Sequence, residues 1–155
     1  MSDATNSRPL SAAERAVWYA LKRLSETALA LVGADIEAAA GLSGADFGIL
    51  TRLEDLGDGT LLQHELAKAL GWQKARLSHQ LTRMQGRGLV SRDSPEAGRG
   101  VSVSILPAGR KAIAVARPVH AAAIRKHLLD HMTSEEAGVL VDLVRRIEYI
   151  AQSCR

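Results

Sequence analysis

Residues Leu66–Arg92 read LAKALGWQKARLSHQLTRMQGRGLVSR, and this stretch decides the fold. Leu66 and Leu70 share one helical face, and Gly71 follows them; glycine enters the left-handed conformation that closes helices at no steric cost. A second helical pattern covers Gln73–Arg87, with Leu77, Leu81 and Met84 on one stripe and Gly88 at its end. Two short helices joined by a tight turn predict a helix-turn-helix. The stretch also holds six basic residues, Lys68, Lys74, Arg76, Arg83, Arg87 and Arg92, and no acidic one. The whole chain carries only +3, so the remaining residues are net negative. Positive charge gathered on one helix is the footprint expected of a surface that follows phosphates.

Past Gly88 the period changes. Leu89-Val90 is a short apolar run, and Val101, Val103 and Ile105 alternate with Ser102 and Ser104, the spacing of a half-buried strand. Asp93-Ser94-Pro95-Glu96-Ala97-Gly98-Arg99-Gly100 lies between them and is a loop by composition. A β-hairpin wing is expected. Upstream, Ser43 stands three residues before Asp46 and starts a helix through Phe47, Leu50 and Leu53 to about Gly57. Thr60 precedes Gln63 by the same interval and is read as opening the helix that carries Leu62, Leu66 and Leu70.

Long helices flank this centre. Ser11 and Glu14 form a capping-box pattern, and Val17, Leu21, Leu24, Ala28 and Leu31 then recur at heptad-like intervals in a helix running to Ala40. Pro107 suits a first helical turn, and the pattern continues from Ala108 to about His131. Pro118 inside it predicts a kink or break near Arg117. Thr133 and Glu136 open a last helix with Leu140, Val144, Ile147 and Ala151 on one seam. The expected fold is mainly α with a small β-hairpin. It divides into a disordered tail (1–10), a winged helix-turn-helix DNA-binding domain (43–107) and a helical dimerisation region (11–42 with 108–155). The seams at Val17, Leu21 and Leu24 and at Leu140, Val144 and Ile147 are not needed to complete the centre, so they are expected to pair with a second copy. A dimer would set two recognition helices about 34 Å apart, one duplex turn.

Composition agrees. Aromatic residues make up 3% and hydrophobic ones 46%, so the core must be built from Leu, Val, Ile and Ala. A lone Cys154 excludes an intrachain disulfide and fits a reducing compartment. No apolar run approaches the roughly 20 residues that span a bilayer, and the start lacks a signal-peptide core; a cytoplasmic protein without a membrane partner is expected.

Facing away from the stripe at Leu77, the helix from Gln73 presents Ala75, Arg76, His79, Thr82 and Arg83. Arg76 is the candidate for a bidentate contact to guanine. Gln73, Lys74 and Ser78 are candidates for base or phosphate contacts, and Arg99 at the wing tip for an adjacent minor groove. The rival reading is an architectural protein that binds DNA without sequence preference. No cofactor is implied, and no enzyme: G-x-S-x-G, a phosphate loop and H-E-x-x-H are all missing. Asp55-Leu56-Gly57-Asp58-Gly59 lacks the later glutamate of a calcium loop and reads as an acidic turn. His120, His127 and His131 fall on one side of the helix after Pro118. His127 and His131 have chelating spacing, so a metal-responsive regulator is a further alternative, with Glu26, Asp35 or Glu37 brought in by folding. Cys154, next to the chain end, is a weak redox candidate.

Taken together, Leu66-Ala67-Lys68-Ala69-Leu70-Gly71, Leu77 through Leu81, Arg87-Gly88-Leu89-Val90, Arg99-Gly100-Val101-Ser102-Val103 and Pro107-Ala108-Gly109-Arg110 resemble the MarR family of bacterial transcriptional regulators over about residues 11–152. The resemblance implies a homodimer with intertwined first and last helices, acting as a repressor released from its operator by a small, often aromatic or phenolic, ligand. It also places an effector pocket between the dimerisation helices and the DNA-binding lobe, where Trp18, Tyr19 and Arg52 are candidate lining residues; core or interface packing is the competing role. Two positions depart from the family pattern. Ala97 stands where an acidic residue usually orients the wing arginine, and Leu106 where threonine usually precedes the next helix.

Overall fold

The structure, a computed structural model, describes residues 8–94 and 100–153. Its elements are α1 (Ala12–Ala40), α2 (Gly44–Gly57), β1 (Thr60–Leu62), α3 (Gln63–Leu70), α4 (Lys74–Gly86), β2 (Val90–Asp93), β3 (Ser102–Ile105), α5 (Pro107–His127), a 3-10 turn (Leu129–His131) and α6 (Ser134–Ser153). Helix starts follow the capping chemistry read from the sequence. Ser11 and Ser43 each accept from the backbone three residues on, and Glu14 and Asp46 return the bond. Thr133 and Glu136 do the same before α6. Gly41 and Gly71 close α1 and α3 in the left-handed region.

The core lies where α2, α3, α4 and the sheet meet. Leu50, Leu53, Leu66, Leu77, Leu81, Met84, Val90 and Val103 are all fully buried there, with Ile36 reaching in from α1 and Ile113 from α5. The sheet is antiparallel in the order β1-β3-β2, with Val90 opposite Ile105 and Thr60 opposite Ser104. Gly109, in the first turn of α5, packs so closely that a Cβ there would strike the Leu89 carbonyl oxygen and crowd Ile105 and Leu50. That close approach seats α5 on the wing base. Leu106 forms no side-chain cap, and Pro107 begins the helix.

Two expectations need correction. Thr60 does not open a helix. Asp58 (φ 49°) and Gly59 (φ 97°) reverse the chain, and Thr60–Leu62 pairs with the edge of β3 instead, the Thr60 hydroxyl lying 2.9 Å from that of Ser104. An open strand edge offers a row of unmet backbone groups, and this short strand satisfies them. α3 starts at Gln63, with the Glu65 carboxylate accepting the Leu62 N–H at 3.1 Å. The hairpin is therefore part of a three-stranded sheet. Nor does Pro118 break α5, which remains helical from Pro107 to His127 and ends four residues earlier than expected. A proline removes one helical hydrogen bond, and the packing of α5 along α1 and α2 holds the remaining turns.

Candidate nucleic-acid interface

α4 meets the core through Leu77, Leu81 and Met84, and this sets what it can present outward. Gln73, Lys74, Ala75, Arg76, His79, Thr82 and Arg83 are exposed and Ser78 is half-buried. The structure thus leaves six of the candidate residues exposed beside Ser78. Arg99 lies outside the described residues, as do Ala97 and Cys154.

The six cations of the basic stretch are not equivalent. Arg87 is an anchor: its guanidinium donates to the Asp46 carboxylate at 2.7 Å and to the Gly41 carbonyl. Arg92 donates to Gln85 (3.0 Å) and to the Thr82 hydroxyl (2.9 Å), and Arg83 donates to the Gln80 side-chain oxygen. Arg76 lies over the Trp72 ring, its guanidinium carbon 4.0 Å from the centroid. Among the described residues, Lys68, Lys74 and Arg76 donate no side-chain hydrogen bond within the chain.

Asp46 is the polar hub beneath this surface. It is 1% exposed, and its carboxylate accepts from the Ser43 N–H (3.0 Å), Gln80 Nε2 (2.7 Å) and Arg87. Burial acts to raise its pKa, but the bonds from the Ser43 backbone, Arg87, Gln80 and the Ser43 hydroxyl outweigh that and hold it below the ordinary range. The capping box disclosed Asp46 as a helix starter. Its link to Gln80 and Arg87 escaped the sequence, because the partners lie 34 and 41 positions away. Gln80 had one visible signal: it falls next to the buried stripe, where a polar side chain needs a partner.

The other candidates are placed differently. Arg52 is exposed on α2 and borders a recess of about 270 Å³ with Phe47, Thr51, Asp55, Arg117 and His120. Trp18 and Tyr19 do not join it; they stand on α1, 55% and 58% exposed. In the recess Arg117 bonds Glu54 (3.1 Å) and Asp55 (2.6 Å), and the His120 ring centroid is 4.5 Å from that of Phe47. Burial, aided by the Arg117 charge, lowers the His120 pKa. The expected row of three histidines is not formed. His131 sits on the 3-10 turn with Nε2 3.1 Å from the Lys126 carbonyl, and His127 Nε2 lies 2.8 Å from Asp35. The hydrogen bond from His127 holds the Asp35 carboxyl below its usual range. Among the described residues no three His, Cys, Asp or Glu side chains are grouped to hold a metal. No single described helix is long and apolar enough to cross a membrane.

Residues 40–100 match the sequence model of the MarR family. A comparison with curated proteins finds no match. Among solved structures, AbsC, a MarR family transcriptional regulator from Streptomyces coelicolor, superposes with a TM-score of 0.83 at 27% identity, covering 95% of this chain and 99% of AbsC. Sco3205, a MarR family transcriptional regulator from the same organism solved in complex with DNA, gives 0.84 at 25% identity, covering 93% of this chain and 91% of Sco3205. BpsR of Bordetella bronchiseptica, whose DNA binding is regulated by 6-hydroxynicotinic acid, shares the fold at 0.73 and 22% identity, covering 86% of this chain and 98% of BpsR. The helix-turn-helix segment thus matches the MarR family model, and the architecture from α1 to α6 is similar to that of solved MarR family transcriptional regulators.

Proposed function

We propose that the protein is a sequence-specific homodimer that binds a pseudo-palindromic operator in the cytoplasm, as a repressor released by a small aromatic or phenolic ligand. The observation that carries this reading is the outer face of α4, which is solvent-exposed along its length and has Lys74 and Arg76 unclaimed by hydrogen bonds at its N-terminal end. That end of a recognition helix is the part that reaches base edges. Arg76 is assigned to a guanine, Gln73, Ser78, His79 and Thr82 to neighbouring edges, and Lys74, Arg83 and Arg99 to phosphates or the minor groove.

Homodimerisation through residues 11–42 and 108–155 is supported by what the single chain leaves bare. α6 buries none of its residues, and α1 buries only Ile36. Val17 (71%), Leu21, Leu24, Val144 and Ile147 (54%) are exposed, and Leu140 is half-buried. A largely apolar groove of about 390 Å³ runs between Leu24 and the Met132–Leu143 segment. Apolar exposure on this scale marks an interaction surface. The recess beside Arg52 and Arg117 is assigned to the effector; the cations suit a carboxylate or phenolate, and BpsR, with the same fold, responds to such a compound.

Gel-shift titration against a duplex selected from a random pool tests the reading. A sequence-specific regulator prefers its site over random DNA by about 10³ or more, and Arg76→Ala should cost about 1–3 kcal/mol of base discrimination. Equal affinity for selected and random duplexes would favour the architectural alternative.

A further inference from the structure

We infer that Trp72 is the positioning residue that sets base specificity, by holding the Arg76 guanidinium on its ring face so that the N–H edge stays free to read guanine. This rests on α4 being the recognition helix and adds a residue to it. Trp72 lies between the helix-closing Gly71 and the N-cap Gln73, and its backbone N–H donates to the Ala67 carbonyl at 3.0 Å. Its ring is half-buried and packs on the hydrophobic core, so it is a fixed platform rather than a mobile side chain. Arg76 follows four residues later in the first turn of α4, and its guanidinium carbon stands 4.0 Å from the ring centroid.

The other arginines of the stretch show why this contact differs. Arg83, Arg87 and Arg92 are each oriented by donating N–H groups to an oxygen, which uses the donors that would read a base. Attraction between a cation and a ring quadrupole uses no N–H group. Arg76 is thus restrained while its donors remain available for the paired acceptors N7 and O6 of guanine. An unrestrained arginine has to be ordered on binding, which weakens the contact. Losing the platform should therefore lower discrimination about two- to fivefold, the size of one such contact at an exposed site.

The test uses the full-length protein and the best duplex it selects from a random pool. Replacing each guanine in turn by 7-deazaguanine, which lacks the N7 acceptor, locates the base read by Arg76, because the Arg76→Ala protein is indifferent there. Trp72→Leu, which keeps apolar bulk without a ring face, should reduce discrimination at that guanine about two- to fivefold, leave binding to random duplex unchanged, and add nothing in an Arg76→Ala background. Trp72→Phe should fall between wild type and Trp72→Leu, and it carries the comparison if Trp72→Leu fails to fold by circular dichroism. Wild-type discrimination in a folded Trp72→Leu protein, or in Trp72→Phe where that protein serves, or an equal loss with and without Arg76, overturns the role of Trp72. If Arg76→Ala itself keeps full discrimination at every guanine, the recognition-helix assignment fails first, whatever Trp72 does.

Discussion

Replacing Asp46 by alanine removes the acceptor on which the turn after α1, α2 and α4 converge, and the structure allows its cost to be worked through. Gln80 is 6% exposed, so its amide would be left buried without its 2.7 Å partner; an unsatisfied buried donor costs about 1–3 kcal/mol. Arg87 is roughly half exposed and regains water, so its loss is about 0–1 kcal/mol. The Ser43 N–H loses its carboxylate acceptor, which contributes about 1 kcal/mol more, while the Asp46 N–H keeps its bond to the Ser43 hydroxyl. Together these give about 2–5 kcal/mol, a large share of the 5–15 kcal/mol by which domains are stable. Urea unfolding followed by far-ultraviolet circular dichroism, at fixed protomer concentration because the proposed dimer would add to stability, should show it. Acid provides a second check. A carboxyl held below its ordinary range favours the folded state above its unfolded pKa of about 4, and that contribution fades as pH falls through the lower native value. The gap between wild type and Asp46→Asn should accordingly narrow in acid. A loss below about 1 kcal/mol for Asp46→Ala, or a gap indifferent to pH, would refute the hub argument.

Gly109→Ala should destabilise by about 1–3 kcal/mol in the same assay. The gain of up to about 1 kcal/mol in helix propensity is outweighed by the collision of the new Cβ with the Leu89 carbonyl. Leu21→Asp or Ile147→Asp, each on an exposed apolar stripe, should yield folded monomer in analytical ultracentrifugation, whereas a monomeric wild type would end the dimer proposal. His120 should titrate below its ordinary value of 6.5 by NMR, because burial and then Arg117 disfavour its charged form. Stability should fall as pH drops through about 6.5 toward that lower value, where only the unfolded chain readily takes the proton, and His120→Phe should lose this part of the pH dependence.

Elements whose causes are local were legible in the chain. The serine and threonine starts at Ser11, Ser43 and Thr133 specify their own helices within three residues, and Leu77, Leu81 and Met84 define the buried stripe of α4 by spacing alone. Thr60 carried the same starting pattern and formed a strand, because the decision rests with the edge of β3, 44 positions downstream. Pro118 was misleading for a related reason: its local cost is fixed, but the packing that retains the helix is tertiary. The basic count marked a candidate interface without sorting its residues. Arg87 and Arg76 are identical as letters, yet one is tied to Asp46 and the other rests on an indole ring. The Trp72–Arg76 contact escaped the sequence reading, because Trp72 lies before the N-cap of α4 and nothing local shows that its ring is anchored.

The polar contacts on either side of α2 differ in strength, and that difference bears on how a ligand could act. On one side Asp46 ties α2 to α4, at several kcal/mol by the reckoning above, and so holds the proposed recognition helix to α2. On the other side α2 and α5 share core packing through Leu50, Ile113 and Ala116, and the polar contacts at the surface are the bonds of Arg117 to Glu54 and Asp55; the Arg117 and Asp55 side chains are 41% and 56% exposed. Pairs of that kind contribute about 0–1 kcal/mol each. The recess bounded by Arg52, Arg117 and His120 lies at these weaker surface pairs. An anionic ligand entering it would compete with Glu54 and Asp55 for Arg117 at small cost and leave the Asp46 hub intact.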